Sequence, residues 1–188
     1  FVLRAVDAAS NTTSRAFAIT INKSITFQTF TSSGTFAVPS GVTSLTEVLV
    51  VGGGGGGAGG HNGCASGGAG GAGGLVFFPA YPVTPGGTIT VTVGNGGADG
   101  AGEVDGNNGQ DSVFGAPGDP GKHPSGDVLT AKGGGGGGRG NCGGGQAGQT
   151  GGSGGGAGNS SPPGGAATQP TQAGDSGAYG FGNPGGTG

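Results

Sequence analysis

Hydrophobic and polar residues alternate in short runs that glycine tracts interrupt, and the alternation predicts strands and no helix. Residues 1–22 place Phe1, Leu3 and Ala5 on one face, then set Phe17, Ile19 and Ile21 against Ala16, Ala18, Thr20 and Asn22. Turn formers at Asp7 to Asn11 lie between the two runs, which is a hairpin signal. Ile25 to Phe30 alternates again, Ser32-Ser33-Gly34 reads as a turn, and Thr35 to Pro39 as a short strand stopped by proline. Glu47 to Val51 is a continuous apolar run, which predicts a strand buried on both faces, and it opens directly into glycine. Leu75 to Pro79 and Thr88 to Val93 are further strands joined through a Pro/Gly turn at 82–87; Ile89, Val91 and Val93 alternate with threonines, so one face is buried and the other wet. Asp111 to Phe114 and Val128 to Ala131 are the last apolar pieces, and beyond Lys132 nothing reads as a side-chain core.

Composition changes this picture by emptying the intervals. Glycine occupies 56 of 188 positions, mostly in tracts 52–74 and 133–188. Such tracts have two open states. One is a flexible linker, because glycine loses the most backbone entropy on ordering. The other is a bundle of extended threefold helices of the polyproline II type, in which glycine on the facing edges lets backbones approach closely enough to hydrogen bond. The second state demands glycine at every third position. Gly54, Gly57, Gly60 and Gly63 meet the demand, as do Gly134, Gly137, Gly140 and Gly143, and Gly145, Gly148, Gly151 and Gly154. The expected fold is therefore all-β: a small antiparallel β domain feeding a bundle of polyglycine II helices, with essentially no α-helix. Its expected divisions are residues 1–23, the closing hairpin of an upstream module; 24–132, a β domain with the first polyglycine tract inserted at 52–74; and 133–188, a polyglycine-rich bundle or tail.

Charge and candidate chemistry narrow the function. Charged residues make up 8% of the chain and the net charge is -3, which gives no basic footprint for nucleic acid. No run approaches the roughly 18 to 20 apolar residues of a membrane helix, and no charged-then-apolar leader is present. A chain that starts at Phe1 and stops inside a glycine run reads as a fragment of a longer polypeptide. Gly-x-Gly-x-x-Gly recurs, but never between a strand and a helix. Gly121-Lys122 fails the phosphate-loop spacing, because Ala116 and His123 occupy its other fixed positions. His61 and His123 lack partners at zinc-ligand spacing apart from the solitary Cys64, and Asp99, Glu103, Asp105 and Asp111 fit no calcium-loop pattern, so a solvated turn is expected there. No nucleophile elbow occurs. The expectation is no enzyme, no metal and no cofactor.

The two cysteines add a constraint. Cys64 lies twelve residues after Gly52 and Cys142 nine after Gly133, an offset of one turn of the threefold helix. Parallel neighbouring rods would carry both thiols at similar heights. A bridge would close a loop of about 80 residues, worth roughly 4–5 kcal/mol in the chain-entropy model. The alternative is two free thiols.

Four motifs carry a resemblance. Thr29-Phe-Thr-Ser-Ser-Gly-Thr-Phe-Ala-Val-Pro-Ser-Gly-Val-Thr-Ser44, Val48-Leu-Val-Val-Gly-Gly-Gly-Gly-Gly-Gly57, Pro82-Val-Thr-Pro-Gly-Gly-Thr-Ile-Thr-Val-Thr-Val-Gly94 and Asn108-Gly-Gln-Asp-Ser-Val-Phe-Gly115 together resemble the glycine-rich domain of phage tail-fibre and virion structural proteins. The similarity is greatest to versions from marine phages, cyanophages among them, and from some bacterial surface proteins. Residues 1–22 resemble the last strands of a bacterial Ig-like or cadherin-like module. In tip adhesins of T-even-type phages, packed polyglycine II helices present loops to a host receptor. The resemblance thus implies a structural and adhesive role at the virion surface, outside the cell. Its implied partners are other virion or fibre subunits, in a homo-oligomer, and a host cell-surface glycan or protein; nucleic acid and membrane insertion are not expected. His61, Asn62, Tyr179 and Phe181, at loop-like breaks, are the candidate receptor contacts. The alternative is a bacterial extracellular filament or cell-surface matrix protein built from the same module; ice binding by a flat polyglycine face is a third reading.

Overall fold

The computed structural model describes residues 2–6, 12–16, 26–61, 63, 65–160, 162–169 and 181–188. Strands β1 (Val2–Val6) and β2 (Thr12–Ala16) form an antiparallel hairpin with Val2 opposite Ala16. Its expected continuation through Phe17 to Asn22 lies outside the described residues.

Six further strands supply the side-chain core. They are β3 (Gly34–Ala37), β4 (Ser44–Val51), β5 (Leu75–Pro82), β6 (Thr88–Thr92), β7 (Ser112–Phe114) and β8 (Leu129–Ala131). A four-stranded antiparallel sheet runs β3-β6-β7-β8, and β4 pairs with β5 in a separate two-stranded sheet. The buried cluster between them includes Val48, Val50, Val76, Tyr81, Ile89, Val91, Phe114, Leu129 and Ala131. On β6 the alternation expected from sequence is present, with Ile89 and Val91 buried and the three threonines exposed.

Two expectations need correction. Residues 26–30 form no strand: Phe30 packs on the core, but Phe27 is 75% exposed, and the ladder of β3 is made with β6. Strand β4 is not buried on both faces. Val48 and Val50 are buried, while Leu49 and Val51 are 60% and 52% exposed, because a two-stranded sheet has only its inner face covered by the opposing strands. A kink in β5 completes the core: Ala80 has φ 53°, and past it Tyr81 turns inward after Val76 and Phe78. The Tyr81 ring meets Phe78 and Phe114 edge-on at 5.3 and 5.4 Å, and its hydroxyl donates to Asp127 O at 2.6 Å. Burial, with the charges of Asp127 and Asp119 behind it, pushes the phenol pKa up to about 12, so it remains a donor.

Past the strands, the chain becomes a bundle of rods. Strand β4 runs into rod 52–60, rod 65–74 runs into β5, β6 into rod 94–101, rod 103–111 into β7, and β8 into rod 133–140. Side chains hold stacked sheets about 10 Å apart. Where glycine removes them, the two layers close until peptide groups bond across the gap: Gly97 N–H donates to Gly54 O at 2.8 Å and Gly134 N–H to Gly53 O at 2.8 Å.

The hydrogen bonds have the period of a threefold helix. From rod 52–60, the N–H groups of Gly52, Gly55 and Ala58 donate to Gly74, Gly71 and Gly68, and those of Gly53, Gly56 and Gly59 donate to Gln110, Asn107 and Val104. One face of the rod thus bonds rod 65–74, and the next bonds rod 103–111. Rods 145–152, 153–158, 162–169 and 181–188 extend the bundle by the same rule: Gln149 N–H donates to Gly136 O, Gly156 to Ala69, Gly148 to Pro163 and Gly154 to Asn183.

Rod 133–140 lies at the centre, and residues 133–138 are all buried. Two of its three N–H columns go to backbone: Gly134, Gly137 and Gly140 donate to rod 52–60, and Gly135 and Gly138 to Ser153 and Gly156. The third column finds no backbone acceptor among the described residues and is met by side chains. Gly133 N–H donates to Asp111 Oδ1 at 2.8 Å, Gly136 to Asn108 Oδ1 at 2.7 Å, and Arg139 to Asp105 Oδ1 at 2.8 Å. Acceptors at 105, 108 and 111 keep the three-residue period, so one edge of rod 103–111 supplies the carbonyl column of an absent rod. Lys132 and Arg139 flank the column, at 2.7 Å from Asp111 and 3.6 Å from Asp105.

The rods also show which glycine columns are steric requirements. In rod 65–74, a Cβ on Gly67, Gly70 or Gly73 would overlap carbonyls of rod 52–60, and the third column, Ser66, Ala69 and Ala72, is exposed. The column Gly134, Gly137 and Gly140 faces neighbours as expected, and so do Gly145, Gly148, Gly151 and Gly154, whereas a Cβ on Gly143, expected in the first of these columns, meets nothing closer than Asn141 Oδ1 at 3.7 Å. The expected column of the first tract, Gly54, Gly57, Gly60 and Gly63, faces a neighbour only at Gly60. A Cβ on Gly54 meets nothing closer than Gly71 O at 3.8 Å, and one on Gly57 nothing closer than Asp99 Oδ1 at 3.7 Å. The crowded positions are Gly52, Gly53, Gly55, Gly56, Gly59 and Gly60.

Asp119 ties the sheet edge together, accepting from Thr90 N and Oγ1 and from Ala116 N at 2.8, 2.9 and 2.7 Å. Burial works against the charges of Asp119 and Asp111. The Thr90 and Ala116 bonds and the Lys122 charge outweigh it for Asp119, the Lys132 and Gly133 bonds and the Lys132 charge outweigh it for Asp111, and both carboxyls titrate below their ordinary value. A depressed folded pKa contributes stability that is present above the unfolded value and lost as pH falls through the folded one. The thermal midpoint is therefore expected to stay level from pH 7 to about 5 and to fall below pH 4. In Asp119→Asn the fall is shallower, and scanning calorimetry across pH reads both curves.

Candidate functional site: the turns at the tip of the bundle

Because the rods leave the sheets and return, their turns gather at the end away from the β core. That tip is built from His61 and Gly63, residues 101–104 and 141–144, and Asn159 and Ser160. Left-handed backbone makes the reversals possible, at Gly63 (φ 85°), Gly102 (φ 61°), Gly144 (φ 131°) and, at the cost of strain in a non-glycine residue, Ser160 (φ 72°).

His61 links three of these turns. Its Nδ1 lies 3.2 Å from Cys142 Sγ, and its Nε2 lies 3.6 Å from Glu103 Oε1, with both side chains about half exposed. Ala65 N–H donates back to His61 O at 3.3 Å. Asn141 caps its own turn, accepting from Gly143 N at its Oδ1, and Gly144 N–H donates to its carbonyl. Asn159 Nδ2 donates to Asn141 O at 3.2 Å and to Ser160 Oγ at 3.1 Å. Its Oδ1 is buried without a hydrogen-bond partner. Beside it lies an open depression of about 480 Å³ lined by Gly63, Ala65, Ser66 and Asn159. The tip therefore offers carboxylate, imidazole, amide and hydroxyl groups on short turns, a surface suited to polar contacts.

Of the residues singled out from sequence, His61 and Cys142 come together here. Cys142 is disulfide-bonded; Cys64, the other cysteine of the chain, lies outside the described residues, as do Asn62 and Tyr179. Phe181 begins rod 181–188, which runs parallel to rod 153–158 from the sheet end, so it lies far from His61. The acidic residues serve the rods: Asp99 Oδ1 accepts from Gly57 N at 2.8 Å, and Asp105 and Asp111 belong to the acceptor column. The spacing of Asp105, Asn108 and Asp111 was the available signal for that column. Glu103, Asn141 and Asn159 had no sequence signal beyond their position in breaks of the glycine pattern.

Among the described residues no group of three or more His, Cys, Asp and Glu side chains is placed to hold a metal ion, and no helix is long and apolar enough to cross a membrane. A family model described as a glycine-rich domain matches residues 29–188. No curated protein and no solved structure matches the chain.

Proposed function

The chain belongs to the glycine-rich domain family, and from that premise we propose that it is a structural and adhesive segment of a phage tail fibre or capsid-attached fibre. In this reading it stands at the virion surface, packs with other fibre subunits, and presents its tip turns to a glycan or protein of the host cell surface. The observation that carries the reading is the division of labour between core and tip. Rod residues bond one another, backbone to backbone and through the Asp105, Asn108 and Asp111 column, without drawing on the turns, while the turns bearing His61, Glu103, Asn141 and Asn159 collect at one end. Such a scaffold fixes its loops without constraining their sequence, which is what a surface matched to a variable receptor needs. Asp99, Asp105, Asp111 and Asp119 each bond backbone N–H groups within the fold, which further supports a non-enzymatic role.

Binding of the fluorescently labelled chain to intact cyanobacteria and other marine bacteria tests the proposal. Saturable binding is expected, weakened at least tenfold when Glu103, Asn141 and Asn159 are replaced together by Ser, and unchanged in Phe181→Ala. Binding that ignores the tip replacements, or that depends on the sheet end, overturns it.

A further inference from the structure

The disulfide at the tip stands where the fold has little need of a crosslink. Rods 52–60 and 133–140 lead to the turns that carry His61 and Cys142, and their backbones are already tied, with Gly134, Gly137 and Gly140 donating to Gly53, Gly56 and Gly59. Cys142 is disulfide-bonded, and the chain's other cysteine is Cys64. The bridge is also open to solvent. Cys142 and Gly143 are exposed, and a Cβ added at Gly63 or Gly144 would meet no atom within 4 Å. Its surroundings are those of a leaving group. His61 Nδ1 stands 3.2 Å from Cys142 Sγ. A bridged sulfur carries no hydrogen, so the imidazole is the donor in this contact. On the far side of the ring, Glu103 Oε1 lies 3.6 Å from Nε2. In the protonated ring both nitrogens then have an acceptor, and the carboxylate holds the ring against the sulfur.

We infer that this bridge is an exchange site, at which a cysteine thiolate of a second protein becomes joined to the chain. The incoming thiolate attacks the sulfur of Cys64 and forms a new disulfide with it. The bond from Cys64 to Cys142 breaks, and its electron pair leaves on Cys142 Sγ as a thiolate held by the His61 N–H. One disulfide is consumed and one is formed, so no oxidant or reductant enters. A neighbouring N–H donor or cation makes a departing thiolate less basic, and a less basic thiolate leaves faster. The imidazole beside Cys142 therefore selects which sulfur departs and which keeps the partner. Glu103 acts through His61 and is a positioning residue. The turns stand at the end of the bundle and the depression beside them is open, so a thiol carried on the surface of another protein can reach the bridge. This chemistry goes beyond the adhesive reading and does not depend on it.

Glutathione tests the chemistry, and a cysteine peptide fixed to beads tests the reach. The native chain is mixed with glutathione, quenched in acid at early times, alkylated and mapped by mass spectrometry. Glutathione is expected on Cys64 and the alkyl label on Cys142, formed faster than in the same chain unfolded in urea. His61→Ala is expected to slow the reaction about tenfold and to spread the adduct over both cysteines, and Glu103→Gln to slow it by less. If His61 served only to hold the turns, its loss would loosen the tip and speed the exchange instead. The beads are expected to retain the native chain until a reducing agent releases it, and to let Cys142→Ser pass. An exchange that His61→Ala leaves unchanged or accelerates overturns the inference, as does a native chain less reactive than the unfolded one, or an adduct on Cys142. Reaction with glutathione but none with the beads overturns the protein partner. None of these measurements uses cells, and cell binding by a chain with an inert bridge would leave the adhesive reading standing.

Discussion

Gly137→Ala is expected to abolish the cooperative unfolding transition, whereas Gly54→Ala leaves it within about 1 kcal/mol of the parent. The two residues stand in the same kind of sequence, and alanine suits the backbone of an extended threefold helix at either. The difference is what surrounds them. A methyl on Gly137 would overlap the carbonyl of Gly68 and lie 3.0 Å from Ala58 N, both backbone atoms of neighbouring rods. Relief requires those rods to move, which breaks the bonds Gly137 makes to Gly56 O and receives from Gly106 N. Each buried group left unpaired costs about 1–3 kcal/mol, and the forced overpacking adds about as much. The total approaches the whole stability of an ordinary domain, about 5–15 kcal/mol. On Gly54 the methyl projects into solvent. Thermal unfolding followed by circular dichroism, with soluble yield as a second readout, distinguishes the pair. Equal midpoints would mean that the rods are not packed as described.

Asn108→Ala is expected to destabilise the fold by about 1–3 kcal/mol, although Asn108 is itself exposed. The loss falls on Gly136, a buried residue whose N–H has Asn108 Oδ1 as its acceptor at 2.7 Å. Asn108→Asp keeps the acceptor and is expected to be near neutral. The new carboxylate stands about 9 Å along the rod from Asp105 and Asp111, close to one screening length at physiological salt. Hydrogen exchange at the Gly136 amide reads the effect directly, with protection falling in the alanine variant and persisting in the aspartate one. An alanine variant as stable as the parent would remove the side-chain column from the account of the central rod.

These positions mark how far the sequence could be read. Thr88 to Val93 was legible because one residue type alternates with another, and the two faces of a strand have different solvents. The run Val48 to Val51 misled for the complementary reason. Leu49 and Val51 are apolar on a face that the chain itself leaves open, and no local pattern records whether a second layer arrives. Inside a pure glycine run, all three columns of a threefold rod are occupied alike, so Gly54 cannot be told from Gly53 or Gly55 without the neighbours. Phase becomes visible only where other residues enter, as in Ser66, Ala69 and Ala72 or in Asp105, Asn108 and Asp111. At the tip, Glu103, Asn141 and Asn159 are far apart in sequence and meet only because rods of matched length return to the same sheets.

The passage of strands straight into rods has a mechanical consequence. A pull between the tip and the sheets runs along the rod axes, so the inter-rod bonds are loaded in shear and many must fail in the same event. A pull across the axes would open them one after another, like a zipper. The bundle should therefore be stiff and strong under longitudinal tension and weak to peeling, and an optical trap applying force along each direction would find very different rupture loads.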